Sequence, residues 1–254
     1  MCNKTAAQVA KERREALKLQ LELQHFHPEY LDRPTINPTD PMPVVVHQTG
    51  DLTLALAAWG KPGADISTMN ARSDNLDKSP LWSPLATNAR HRAVAVLSHG
   101  FEPFTKLTHD QMGHDLAVKN IGEQAVNEAL AGKTVWHGIK RRDGDPMLIA
   151  ALVDIDDQQR QWTTLVTTEA GPVFSRIHRA KAHGEPREIA NLRTVAEAKA
   201  WLEGSNDYGG LLRGSGDDFM ESWRCPPECM KKDADPLLKM QAWSPPVERQ
   251  RKLF

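Results

Sequence analysis

The pattern that most limits the fold of this chain is a series of apolar runs that are too short for helices and are bounded by turn residues. Val44-Val45-Val46 and Leu52 to Trp59 flank Gly50-Asp51, which suits a tight hairpin between two strands. Ala93 to Leu97, Met147 to Val153 and Trp162 to Thr168 read as three further strands, the last two joined by the polar turn Asp154 to Arg160. Helical spacing interrupts the series at Asp110 to Leu130 and at Val195 to Leu202. The second of these is opened by Thr194 as N-cap, with Glu197 three residues on. A helix is also expected over Thr5 to Gln24, with Val9, Ala16, Leu17, Leu19, Leu21 and Leu23 as its apolar face. Strands that are mostly consecutive, with helices inserted, imply an α+β domain. Its centre should be β-rich and mostly antiparallel, with peripheral helices.

Five prolines between His27 and Pro43 predict an extended loop there. From Gly204 onward Gly, Asp, Ser and Pro accumulate, so little regular structure is expected. The chain then divides into a folded unit over residues 2–203 and a loop-rich C-terminal extension over 204–254. At 254 residues the core needs no metal or disulfide staple. The net charge of −1 excludes bulk attraction to nucleic acid, so any such binding must come from a local basic patch. Arg90-His91-Arg92 and Lys140-Arg141-Arg142 read as solvated loop charges.

The cysteines are Cys2, Cys225 and Cys229. This odd number, with no secretory signal and no apolar run near about 18 residues, reads as a reduced, cytoplasmic protein and not a membrane one. Cys225-Pro226-Pro227-Glu228-Cys229 spaces its thiols too widely for a thioredoxin-like motif. It also offers two zinc ligands without a second pair, so a structural or incidental role is expected and no metal.

Cys2 has a distinct chemistry. Removal of Met1 leaves an α-amine, with an ordinary pKa of about 7.7–8.0, and a thiol on adjacent carbons. The amine can form a Schiff base with an aldehyde and the thiol can close a five-membered thiazolidine ring. Four stretches in a fixed order give that observation context: Met1-Cys2-Asn3-Lys4, Met69-Asn70-Ala71-Arg72-Ser73-Asp74, His99-Gly100-Phe101-Glu102, and Thr167-Thr168-Glu169-Ala170 running into Arg176-Ile177-His178. This order resembles the SOS-response-associated peptidase-like (SRAP) family of abasic-site processing proteins over roughly residues 2–203. Thr35 to Thr39 and Ala58 to Pro62 sit where that family has further loops. Lys4 stands in place of its arginine, Asp74 of its glutamate and Pro103 of its tryptophan. A Pro-x-x-Ile echo remains at Pro186 to Ile189.

The resemblance implies catalytic roles for Cys2, Asn70, Glu102 and His178. Cys2 would form the thiazolidine with an abasic site in single-stranded DNA, and Asn70 would hold the terminal amine or the sugar oxygen. Glu102 would shuttle protons, while His178 would protonate the sugar ring oxygen or the departing group in strand cleavage or reversal. Lys4, Arg72 and Arg179, with Arg176 and Lys181 nearby, would meet phosphates, and Pro38 and Trp59 would stack on or wedge bases. It also implies a monomer without cofactors, associated with the nucleoid when on DNA, and lyase and autoproteolytic activities. Taken singly, Asn70 reads as a turn residue, Glu102 as a solvated strand end, His178 as structural and Trp59 as core. Two other functions fit the same residues: an amino-terminal-nucleophile cysteine peptidase or amidohydrolase, and a non-catalytic DNA-binding relative.

Overall fold

The computed structural model describes residues 4–64, 66–104, 121–177, 186–204, 208–231 and 234–243. In chain order its elements are β1 (Lys4–Gln8), α1 (Lys11–Gln20), β2 (Asp32–Ile36), β3 (Pro41–Gln48), β4 (Asp51–Trp59), β5 (Asn70–Arg72), α2 (Ser83–Ala86), β6 (Arg92–Leu97) and β7 (His99–Phe104). These are followed by α3 (Glu123–Leu130), β8 (Val135–Arg141), β9 (Met147–Ile155), β10 (Gln161–Glu169), α4 (Pro172–Ile177), β11 (Arg187–Ile189), β12 (Asn191–Leu192), α5 (Val195–Leu202) and β13 (Met220–Arg224). The architecture is α+β, as the strand pattern predicts.

Five strands close a ring. β3 runs antiparallel to β4 and β6, β6 to β9, and β9 to β10. A short parallel ladder, Trp162 with Ala58 and Thr163 with Trp59, returns β10 to β4. Alternation then sorts the side chains of these strands into two cores. Val45, Val94, Val96, Ala150 and Leu152 join Leu17, Leu85, Ala198 and Trp201 of the helices. Val44, Val46, Ala95, Ile149 and Leu165 join Ile36, Ile139 and Met220 of a second sheet and Phe174 and Ile177 of α4. That sheet has the order β13-β8-β7-β1-β2. Ser98 is the bend between the sheets: its backbone N–H donates to Ala6 O, and its Oγ accepts from the Gln8 N–H.

Several expectations from sequence are corrected. The first residues of the expected amino-terminal helix, Thr5 to Gln8, belong to β1, because Thr5, Ala6 and Ala7 are buried between β2 and β7, where ladder pairing and burial outweigh alanine's helix preference. Leu19 is 75% exposed on the helix that follows. The proline-rich stretch holds an edge strand, β2, whose outer side tolerates Pro34. The expected helix over 110–130 is helical at Glu123–Leu130, while 105–120 lie outside the described residues. Regular structure does occur beyond Gly204, since β13 pairs with β8. Arg92 is a buried core cation: it donates to Ala86 O (2.8 Å) and Trp201 O (3.2 Å) and lies 4.7 Å from the Trp201 ring centre. Arg141 is likewise nearly buried in β8, held by Asp143.

The β3–β4 turn is centred on Thr49-Gly50, one residue before the sequence expectation, and closes on the Gln48–Asp51 pair. Both central residues have positive φ, 53° and 97°. Glycine adopts this conformation freely, whereas a β-branched residue is strained in it. Asparagine tolerates it, so Thr49→Asn should stabilise the protein by about 1 kcal/mol. The measurement is the urea midpoint at unchanged slope, and a midpoint that stays or falls would count against the turn geometry.

Candidate functional site

Asn70 and Arg72 are placed by the loop that leaves β4. Gly60 N–H donates to Thr163 O (2.8 Å), and the Trp59 indole N–H donates to Met69 O (3.0 Å), so the residue before Asn70 is pinned to the end of β4. β5 then runs parallel to β10, with Asn70 opposite Leu165 and Arg72 opposite Thr167. Ala71 and its partner Val166 enter the helix-side core, and Leu165 enters the other. Asn70 and Arg72 therefore lie on the side that faces the five-stranded sheet. Asn70 Oδ1 is buried with no hydrogen-bond partner among the described residues.

Arg72 donates from Nε and Nη2 to the two carboxylate oxygens of Asp74 (3.1 and 2.7 Å). Arg187 Nη2 lies 3.2 Å from Asp74 and also donates to Thr167 O (2.6 Å). The Arg72 hydrogen bond, helped by the charge of Arg187, holds the Asp74 carboxyl down to about 2. One carboxylate thus ties the Asn-Ala-Arg strand to β11.

Glu102 is fully buried on β7 and stands opposite His137 of β8. His137 is also buried, and desolvation, reinforced by the Arg224 charge, pushes its pKa down to about 4. The same register puts Ile139 on this face, and Ile139 belongs to the core that receives Leu165. Glu102 and Asn70 thus project from two sheets toward one shared core. β1 enters beside them: its first described residue, Lys4, pairs with Phe101, the residue before Glu102. By the same pairing Lys4 lies on the opposite face from Glu102, with Nζ 5.8 Å from the Trp136 ring centre.

The fourth motif meets this region through α4, which packs against β7, β11 and β13 and places Phe174 and Ile177 in the shared core. Glu188 sets its start. This buried carboxylate accepts hydrogen bonds from Gly171 N–H (2.8 Å) and Ser215 N–H (2.6 Å), while burial raises its pKa to about 7 against those bonds. A side chain at Gly171 would overlap the Ser215 carbonyl, so only glycine fits that approach. Ile177 directly precedes His178. Cys2, His178, Arg179 and Lys181 lie outside the described residues.

The remaining sequence candidates are placed as follows. Trp59 is fully buried and its ring is not available to a base; it is a core residue that positions Met69. Pro38 is half-buried in the turn between β2 and β3, where Asn37 N–H donates to Asp40 (2.8 Å) and Thr39 N–H donates to Trp59 O (2.8 Å). Arg176 is paired with Asp217 (2.7 Å). Sequence reasoning missed His137, Glu188 and the bridging role of Asp74. Only the Pro-x-x-Ile echo, which contains Arg187 and Glu188, could have pointed to one of them. Among the described residues no group of three or more His, Cys, Asp or Glu is placed to hold a metal ion.

The model of one protein family, described as SOS response associated peptidase (SRAP), matches residues 1–227 of this chain. No curated protein matches it in sequence. Solved structures share its fold. A protein from Bacteroides thetaiotaomicron is 15% identical with a TM-score of 0.67, over 95% of this chain and 100% of that one. One from Bordetella bronchiseptica is 18% identical with a TM-score of 0.63, over 89% and 100%. A phage-related protein from the same organism is 14% identical with a TM-score of 0.58, over 88% and 93%. Identities this low carry the fold alone.

The buried His137 has a measurable consequence. Its folded pKa of about 4 lies below the unfolded value of about 6.5, so the unfolded state takes up the proton first as pH falls. Its contribution to stability is complete above pH ~6.5 and is lost toward pH ~4. His99, also pushed down to about 4 by burial, acts in the same direction. His137→Leu should therefore remove about 1–2 kcal/mol of the stability loss between pH 7 and pH 5. Urea midpoints at the two pH values test this, and an equally steep loss in the variant would show that His137 is not buried neutral.

Proposed function

The chain belongs to the SOS response associated peptidase (SRAP) family, and we propose that it forms a covalent thiazolidine crosslink between Cys2 and an abasic site in single-stranded DNA, shielding the lesion from cleavage. At the family level, membership supports an SOS-associated role in abasic-site processing and association with DNA. No described helix is long and apolar enough to cross a membrane.

In the proposed chemistry, removal of Met1 frees the α-amine. The amine attacks the ring-opened aldehyde, water leaves, and the Cys2 thiol adds to the resulting C=N bond to close the ring. Glu102 carries protons between amine and sugar, in a buried setting suited to proton transfer. Asn70, with a buried amide oxygen, holds the amine or sugar hydroxyl, and His178 protonates the sugar oxygen. The same groups would serve lyase chemistry and autoproteolytic release of Met1. Arg72, Lys4 and Arg179 are proposed to meet phosphates and Pro38 to wedge beside the lesion, with the protein acting as a monomer. The observation that supports this assignment best is the convergence of Asn70 and Glu102 on one core, beside a strand that begins two residues after Cys2.

Purified protein lacking Met1 should give a denaturant-stable adduct with an abasic single-stranded oligonucleotide, and Cys2→Ser should not. Glu102→Gln should slow adduct formation by roughly 10²-fold with little change in DNA affinity. Equal rates in a folded Glu102→Gln variant would remove Glu102 from the chemistry. Arg72→Ala should weaken binding to all sequences alike and make the salt slope shallower by about 0.7. An unchanged slope would place the phosphates elsewhere.

A further inference from the structure

Cys225 and Cys229 take no part in the chemistry proposed above and lie on the face of the five-stranded sheet opposite Glu102. Cys225 follows β13 directly, and its N–H donates to Trp136 O (2.9 Å), prolonging the β13–β8 ladder by one residue. Pro226 and Pro227 then restrict the chain, and a turn closed by Cys229 N–H to Pro226 O (3.0 Å) folds the second thiol back toward the first. Both thiols are buried in one cluster with Ala6 and Phe101, under Trp136, Trp223 and Met240. Cys225 Sγ donates its proton to Lys239 O (3.2 Å). Lys239 is itself buried, with its ammonium hydrogen-bonded to Thr35 Oγ1 and 5.2 Å from the Phe101 ring centre.

We propose that Cys225 and Cys229 are a redox-active dithiol that a hydroperoxide converts to an intramolecular disulfide, a reversible modification site on the sheet face opposite Glu102.

The environment makes the two sulfurs unequal. The neighbouring Cys229 sulfur and burial push the Cys225 thiol up, and its proton is held by the Lys239 carbonyl. The neighbouring Cys225 thiol, with the charges of Lys239 and Lys4, favours the thiolate at Cys229 against the opposing effects of burial and Glu228. This is the asymmetry of an attacking thiolate beside a resolving thiol. Cys229 thiolate attacks one peroxide oxygen, the O–O bond breaks, and a sulfenic acid forms as hydroxide leaves and is protonated to water. The Cys225 sulfur then attacks the sulfenic sulfur, the S–O bond breaks, and a second water departs. Two thiols lose two electrons and one hydroperoxide is reduced. The turn keeps the resolving thiol at hand, so the sulfenic acid is captured before it oxidises further.

The experiment uses the reduced full-length protein, treated with hydrogen peroxide, quenched, alkylated under denaturing conditions and digested with trypsin. Cleavage after Arg224 and Lys231 releases both thiols on one peptide, Cys225 to Lys231. That peptide should resist alkylation and weigh two hydrogens less than its reduced form, and dithiothreitol should restore double alkylation. The result should persist in Cys2→Ser. Lys239→Met should slow disulfide formation at least about threefold, and Lys239→Arg should restore the rate, because the charge and not the packing is what acts. The proposal is overturned if the peptide stays fully alkylatable at a peroxide dose that oxidises Cys2. It is equally overturned if the peptide gains only sulfinic or sulfonic oxygens, or if disulfides form only to Cys2.

Discussion

β10 exchanges both of its partners part-way along its length, and the site depends on that exchange. Over Gln161–Leu165 one edge carries β9, while the other carries β4 at Trp162 and Thr163. From Leu165 the β4 edge passes to β5, and from Thr167 the β9 edge passes to β11. A strand end left unpaired would expose backbone donors and acceptors at a cost. Here the vacated edges are filled by the two short segments that carry the Asn-Ala-Arg and Pro-Arg-Glu-Ile sequences. The positive φ of Gly60 (94°) lets the chain turn out of β4, and the Trp59 indole brings it back at Met69. Arg187 then laces the new edge together, reaching Thr167 on its own ladder and Asp74 across it.

The five-stranded sheet separates two clusters of side chains by the alternation of its residues. Glu102, His137 and Thr5 face the shared core, while Lys4, Phe101, Trp136 and Trp223 face the thiol cluster. Desolvating a carboxylate and an imidazole at opposed positions costs free energy, and the imidazole answers by losing its proton readily. Glu188 is another buried acid, but it has a structural task, since it joins the start of α4 to the segment around Ser215. The helix that leads to His178 is thereby fixed at its first turn by a polar clamp and along its length by Phe174 and Ile177.

Much of this was legible in the sequence, and the failures have physical causes. The β3–β4 hairpin, β6, β9, β10 and the Thr194 cap of α5 follow from local pattern; the Thr194 side chain accepts from Glu197 N–H as the spacing predicts. β1 was misread because Thr5-Ala6-Ala7-Gln8 has no strand-like composition of its own; only its burial between β2 and β7 makes it a strand. β13 was missed for the same reason, being specified by its partner β8 and by the fit of Trp223 against Gly138. The order of motifs led to Asn70 and Glu102, whose convergence is tertiary. His137 was invisible because a strand histidine has no local signal, and its meaning comes only from standing opposite Glu102. Trp59 shows the reverse: a motif position suggested a surface task, and the fold uses it as core.

In the proposed chemistry the first residue of the trimmed chain carries the covalent bond to the lesion, and the position of that bond in the adduct is decisive. The adduct with abasic single-stranded DNA would be digested with nuclease and trypsin and its deoxyribose remnant placed by tandem mass spectrometry. The predicted result is a remnant on the peptide that begins at Cys2, with neither a free amine nor a free thiol on that residue. A remnant on a lysine such as Lys4 or Lys239, or a Cys2 that keeps both groups, would rule out Cys2 as the crosslinking residue.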